Sequence, residues 1–195
     1  GTLFMTGYLT QRGKADGNRY NLVIPNREVR NIITEHILVK FRQDIKKDGQ
    51  MVQRFCQALA NGQAQQVEQI FATYMSKTVS VRDTFVRKAI RENFYHGILL
   101  GILSFKDGWT VTSNRESGNG FSDILIQIDD SDTGIVIEVK YTEEGKSMES
   151  DCKAALKQID EKNYTETLYQ AGVKRILKYG IACQIKDCKV MLEEE

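Results

Sequence analysis

The stretch Ser113–Tyr141, SNRESGNGFSDILIQIDDSDTGIVIEVKY, decides the fold, because it predicts two β-strands joined by a polar turn. Apolar residues alternate through Phe121–Ile128, residues 134–141 form a β-branched run, and the Asp-rich residues between them are typical of a turn. Since a strand presents alternate residues on opposite faces, Glu138 and Lys140 lie on one face. A hairpin closed around residues 130–133 would place Asp123 opposite Lys140, one step from Glu138. We therefore expect two carboxylates and an ammonium group to converge in a mostly apolar sheet.

Three converging charges in a sheet have two interpretations. Burying them costs several kcal/mol unless they satisfy one another or bind an ion. Two neighbouring carboxylates form a hard-oxygen site suited to Mg²⁺ or Mn²⁺, and a lysine beside them can hold the water that attacks a phosphodiester. The alternative is an edge strand on which Glu138 and Lys140 simply face solvent. The residues alone leave both interpretations open.

Hydrophobic periodicity along the rest of the chain predicts a mixed α/β protein. From residue 83 onward the predicted order is α-β-β-β-α-β, with one further strand at the end. Outside the central pair, the predicted elements are a helix over 83–106, a strand over 109–112, a helix over 148–170, and strands over 175–185 and 188–192.

The first 80 residues carry no catalytic constellation. Two short strands are predicted over 3–10 and 20–24, and helices over 27–46, 50–60 and 63–77. We interpret residues 1–80 as an N-terminal hairpin with a helical linker module. Residues 81–195 form a second domain that contains the charged strand pair.

Five short segments together resemble the active-site signature of the PD-(D/E)XK, or restriction-endonuclease-like, nuclease superfamily. They are ENFYHG (92–97), SNRESGNG (113–120), DIL (123–125), EVK (138–140) and ALKQI (155–159). The wording is similar to the C-terminal nuclease-like domain of bacterial AAA-ATPase-like proteins, over roughly residues 81–190. Residues 1–48 look like the segment that joins the ATPase to that domain. The predicted α-β-β-β-α-β order is also the core order of the restriction-endonuclease-like fold.

The resemblance implies a metal-dependent nuclease. Asp123, Glu138 and the Val139 carbonyl would hold Mg²⁺ or Mn²⁺, with Glu92 carrying a second metal or a water. Lys140 would orient the attacking water, and Gln158 would approach the nucleic-acid backbone. From the residues alone, Glu92 could instead pair with His96 one turn later, and Gln158 could be an ordinary surface glutamine.

Phosphate contacts are less well defined by the resemblance. Arg115 and Lys146 are candidates to seat phosphates. The family usually has an arginine two residues before the aspartate, whereas this chain has Phe121.

Composition limits the function classes. A net charge of +1 does not fit a protein that coats DNA, so nucleic acid, with DNA expected, must be bound through a local patch. No window is apolar enough to span a bilayer, no signal peptide opens the chain, and the four cysteines lack metal-type spacing, so we expect a cytoplasmic protein with reduced thiols.

Besides the nuclease, two functions fit the sequence. One is a catalytically silent nuclease fold kept as an interaction module beside an ATPase, and the other is a purely structural domain. The first residue is Gly, not Met, and we interpret the sequence as a piece of a longer protein that includes the ATPase. The sequence is silent on oligomeric state.

Overall fold

A computed structural model describes residues 10–11, 22–23, 49–78, 88–104, 106–115, 121–162 and 164–195. The chain divides into two compact units, residues 1–47 and 48–195. In the first unit, β1 (Thr10–Gln11) pairs antiparallel with β2 (Leu22–Val23), within or beside the two strands predicted there. The helix predicted over 27–46 lies outside the described residues.

The second unit is built around a five-stranded mixed sheet. Its strands are β3 (Trp109–Arg115), β4 (Phe121–Ile128), β5 (Thr133–Tyr141), β6 (Arg175–Gln184) and β7 (Asp187–Glu194). Its helices are α1 (Gly49–Ala60), α2 (Ala64–Thr78), α3 (Lys88–Leu103), α4 (Met148–Glu161) and α5 (Tyr164–Gln170). The strand order is β3-β4-β5-β6-β7, in which β5 and β6 run parallel and the other neighbours run antiparallel. The predicted mixed α/β fold is confirmed, and it is consistent with a restriction-endonuclease-like fold.

One face of the sheet is covered by the two helices between β5 and β6. Because strand residues alternate between faces, one set of side chains from β4, β5 and β6 meets α4 and α5 in a single apolar core. This core consists of Leu125, Val136, Leu156, Ile159, Leu168, Val173 and Ile176. This packing holds α4 over the C-terminal half of β5.

The opposite face is tied to α1 and α3 by buried tyrosines. The Tyr179 hydroxyl on β6 donates to the carbonyl of Leu59 at 2.7 Å, and Tyr95 of α3 stacks on the ring of Tyr141. The edge strand β7 is covered by α2, where a carboxylate oxygen of Glu68 accepts from the backbone N–H of Val190 at 3.0 Å. Such edge protection prevents pairing with a foreign strand.

The prediction of one helix over 148–170 is wrong, since the structure has two helices there. Helix α4 ends at Glu161, and Lys162 leaves the helical conformation with ψ near 0°. The break lets α5 turn back over the sheet, so that Leu168 packs with Leu125 and Val136 in the core described above. Separately, within the described residues, no helix is long and apolar enough to cross a bilayer.

Candidate active site

The candidate site lies where β4 and β5 stop pairing. The β4–β5 register runs from Gln127↔Gly134 to Ile124↔Ile137, whereas the β5–β6 register continues to Tyr141↔Cys183. The last residues of β5, Glu138–Tyr141, therefore keep β6 on one side beyond the end of the β4 ladder. This is the segment to which the sequence assigned the chemistry.

The observed register corrects one prediction. Continued by one residue, it places position 123 opposite Glu138, whereas the sequence placed it opposite Lys140. The difference arises because the loop occupies residues 129–132, with Asp130 in the left-handed region at φ 55°, so the hairpin closes one residue earlier than predicted. A shift of two residues in pairing keeps the same face, since the period of a strand is two. Beyond Ile124, however, the β3–β4 register slips, with the step from 124 to 121 on β4 matching the step from 113 to 115 on β3, so the face of position 123 stays a prediction.

Glu138 and Lys140 form an ion pair under helix α4. The Lys140 ammonium donates to Oε1 of Glu138 at 2.7 Å and to the side-chain oxygen of Gln158 on α4. Glu138 is 3% exposed, and the side chain of Lys140 is 22% exposed. The edge-strand alternative, in which both side chains face solvent, is therefore wrong, because burial and the helix above them hold the pair in the sheet. Gln158 is likewise only half-buried and engaged with the site.

The second oxygen of the Glu138 carboxylate has no hydrogen-bond partner within the described part of the chain, although it is buried. Leaving a buried acceptor unsatisfied costs about 1–3 kcal/mol, and more for a charged group. A carboxylate oxygen with unused acceptor capacity is the donor type that Mg²⁺ and Mn²⁺ prefer. Where side chains are described, no group of three or more His, Cys, Asp or Glu residues forms a metal cluster. The side chain of Asp123 is not among those described.

Glu92 reaches the same end of β5 from helix α3. Its Oε1 accepts from the backbone N–H of Tyr141 at 3.2 Å, while the next N–H, of Thr142, donates to Cys183 on β6 at 2.8 Å. The N–H and C=O groups of successive residues alternate between the two sides of a strand, so the backbone N–H of Tyr141 faces away from β6. By the same alternation the Val139 carbonyl faces the Glu92 side. His96, the alternative partner of Glu92, lies with Nε2 3.2 Å from the Ser113 hydroxyl.

Sequence reasoning missed the residues that support this site. The guanidinium of Arg91 lies 4.7 Å from the centre of the Tyr141 ring. The ring of Tyr95 also stacks on the Tyr141 ring, with 6.2 Å between the two ring centres. Gly180 pairs in register with Glu138, and a Cβ atom at this position would collide with the Cys152 carbonyl of α4. The aromatic residue directly after the EVK segment was the available signal for the stack.

The predicted phosphate contacts, Arg115 and Lys146, are described only in part. Lys146 is exposed and pairs with Glu143 at 2.6 Å, and this hydrogen bond raises the Lys146 pKa above its ordinary value. The side chains of Arg115 and Phe121 lie outside the described set.

All four cysteines are free and buried, as predicted for reduced thiols, and burial raises the pKa of Cys56 and Cys188 to about 12. Such thiols are poor nucleophiles at neutral pH.

Comparison with known families gives one match. A family model described as the PD-(D/E)XK nuclease superfamily matches residues 90–193, which is more than half of the 195-residue chain. The matched range begins just before Glu92 and runs through β3, β4, β5, α4, α5 and β6 to Glu193 in β7. A search of curated proteins returns no match.

Proposed function

The chain belongs to the PD-(D/E)XK nuclease superfamily, and on this premise we propose that the site at the end of β5 hydrolyses phosphodiester bonds in nucleic acid with the help of a divalent metal ion. Asp123, Glu138, Lys140, Glu92 and Gln158 are the proposed catalytic residues. The observation that carries the proposal is the buried Glu138 carboxylate, which gives one oxygen to Lys140 and leaves the other without a partner in the described part of the chain.

The residues around Glu138 suit a hard cation. Glu138, the Val139 carbonyl, Asp123 and Glu92 would hold Mg²⁺ or Mn²⁺, which when bound lowers the pKa of a water and neutralises charge on the phosphoryl group. Two observations support this assignment: Glu138 and Val139 belong to β5, and Glu92 accepts from the Tyr141 N–H at the end of the same strand at 3.2 Å. All four are oxygen donors.

Lys140 is the proposed residue that positions the water. Its ammonium has three N–H donors, of which Glu138 and Gln158 accept two. The third can hold a water or a phosphoryl oxygen, and the partial exposure of the side chain leaves room for it. Gln158 fixes the ammonium from α4, so that it does not need to reorganise when charge develops.

The substrate is proposed to be nucleic acid, with DNA as the first candidate. Because the net charge is only +1, affinity must come from local phosphate contacts, for which Arg115 and Lys146 are the candidates. We also propose that the domain acts in the cytoplasm beside an AAA-ATPase-like segment of the same full-length protein. This last proposal rests on the resemblance of residues 1–48 to a joining segment.

The proposal is tested by cleavage of DNA and RNA oligonucleotides, single- and double-stranded, in Mg²⁺ and in Mn²⁺. Lys140→Ala should lower cleavage by about 10² or more, the scale of one preorganised electrostatic contact, while calorimetry shows Mn²⁺ affinity within a few-fold of wild type. Glu138→Ala should abolish both, and Glu92→Gln should weaken metal binding. Lys174→Ala is the matched control, because Lys174 pairs with Asp132 on the surface at 2.9 Å.

Two results would contradict the proposal. One is a wild-type chain that binds neither metal ion and cuts no substrate, which would favour a catalytically silent interaction module. The other is a Lys140→Ala protein that cuts as well as the Lys174→Ala control.

A further inference from the structure

Helix α3 contacts Tyr141, the last residue of β5, in three ways. The guanidinium of Arg91 lies 4.7 Å from the centre of the Tyr141 ring. The ring of Tyr95 stacks on the same ring, with 6.2 Å between the ring centres and 13° between the ring planes. Glu92 accepts from the backbone N–H of Tyr141 at 3.2 Å. Since Arg91 and Tyr95 are four residues apart, they lie on one face of the helix, and Glu92 belongs to the same turn as Arg91.

The Tyr141 ring does not itself belong to the proposed metal site. Successive residues of a strand point to opposite faces, so the ring lies on the side of α3, whereas Lys140 lies under α4. Tyr141 is only 4% exposed, which leaves its ring no surface to offer to a substrate. Any role of this ring in the reaction must therefore act through another residue that it holds in place.

Glu92 is the residue of the site that depends on such support. Glu138 and Lys140 belong to one strand and are fixed by each other and by Gln158. Glu92 instead reaches the site from a separate helix, at the end of a flexible side chain whose ordering costs conformational entropy. Its hydrogen bond to Tyr141 persists only while α3 keeps its distance from the end of β5.

The ring contacts are suited to fix that distance. A flat aromatic ring restricts both the separation and the tilt of the groups that stack on it, since stacked and cation–π geometries are favourable over a narrow range. An aliphatic side chain of similar volume would fill the same space without this restriction. The two ring contacts come from residues on either side of Glu92 in the sequence, so they constrain the part of α3 that carries its carboxylate.

We propose that Tyr141 is a positioning residue for Glu92. Its ring, in contact with Arg91 and Tyr95, keeps α3 close enough to β5 for the Glu92 carboxylate to serve the divalent cation of the site. This inference rests on the proposed nuclease function and adds to it how a donor from a separate helix is kept at a site built on β5. Residues that orient a metal ligand in this way change metal affinity by about 10–100-fold when they are replaced.

Calorimetric titration of the 195-residue chain with Mn²⁺ tests the proposal. Tyr141→Met keeps the apolar bulk but loses the ring, and it should lower Mn²⁺ affinity about tenfold. Tyr141→Phe keeps the ring and should bind Mn²⁺ as wild type does. Tyr179→Met is the matched control, because Tyr179 is a buried tyrosine that pairs in register with Ile137 and so shares the sheet face of Tyr141. It should leave Mn²⁺ affinity unchanged. Circular dichroism confirms that each variant is folded at the temperature of the titration.

A double-mutant cycle separates positioning from a merely structural role. In a Glu92→Gln background, Tyr141→Met should lower Mn²⁺ affinity no further, because the proposed effect passes through the Glu92 carboxylate. A general loosening of the fold would lower affinity by the same factor in both backgrounds. Equal losses with and without Glu92 would therefore overturn the inference.

The remaining outcomes distinguish this inference from the nuclease function. If wild type binds Mn²⁺ and cuts nucleic acid while Tyr141→Met binds Mn²⁺ equally well, the inference is overturned and the nuclease function stands. If wild type neither binds Mn²⁺ nor cuts any nucleic acid, both proposals fail. Should Tyr141→Met not fold, Tyr141→Leu takes its place in the cycle, and failure of both variants to fold would overturn the inference, because the ring would then serve the fold.

Discussion

Replacing Lys140 with methionine should destabilise the fold strongly, because it leaves the Glu138 carboxylate buried without its partner. Glu138 is 3% exposed, its Oε1 lies 2.7 Å from the Lys140 ammonium, and its Oε2 has no partner in the described part of the chain. Removing one partner of a fully buried pair costs about 3–5 kcal/mol. Since the Lys140 side chain is 22% exposed, water compensates for part of the loss. We expect a cost of about 3 kcal/mol.

The assay is unfolding of metal-free protein at pH 7.5, followed by heat and by urea. For a chain of 195 residues, a loss of about 3 kcal/mol lowers the melting temperature by roughly 6–12 °C. Lys146→Met is the control, because Lys146 and Glu143 form an exposed pair at the similar distance of 2.6 Å. Water screens an exposed pair, so Lys146→Met should unfold close to the wild-type temperature. If Lys140→Met and Lys146→Met unfold at the same temperature, the argument from burial is refuted.

A double-mutant cycle isolates the pair itself. Glu138→Gln keeps the shape of the side chain and removes its charge. Combined with Lys140→Met, it should recover about 1–2 kcal/mol of the loss, since no buried charge then lacks a partner. Strictly additive effects would show that the ammonium and the carboxylate do not interact in solution.

Two further predictions concern contacts between the sheet and the helices that cover it. Gly180→Ala should cost about 1–3 kcal/mol in denaturant unfolding and reduce cleavage, because the new Cβ displaces α4. The control Gly97→Ala, at an exposed helical position with open space around it, should be neutral or stabilising. Equal effects of the two variants would contradict the close contact between Gly180 and α4. Burial raises the pKa of the Tyr179 phenol above its ordinary 10.0, so its contribution to stability is complete below pH 10 and falls by about 1.4 kcal/mol per pH unit above it. Tyr179→Phe should cost about 1 kcal/mol at pH 7, where it loses the Leu59 hydrogen bond, and should lose less stability between pH 10 and 11 than wild type. Parallel pH profiles would exclude this role.

The sequence alone was sufficient for the order of the strands in the second unit and for the shared face of Glu138 and Lys140. Alternation in β4 and the β-branched run in β5 reflect burial on the sheet, which is a local property of each strand. Because the period of a strand is two, Glu138 and Lys140 share a face in any register. The pattern could not locate the end of α4, since no Gly or Pro stands there.

Only the tertiary structure decided how the charged residues are partnered. Glu92 accepts from an N–H group 49 residues away, and Gln158 accepts from a lysine 18 residues away. Both hydrogen bonds depend on how closely α3 and α4 approach the sheet, and for α4 that distance depends on the absence of a side chain at Gly180. The left-handed Ile185 contradicts the local preference of its residue type and is held by Tyr95, 90 residues earlier. Contacts between elements far apart in the chain carry no periodic signal, so the burial of Glu138 and the left-handed turn at Ile185 became visible only once the helices were packed on the sheet.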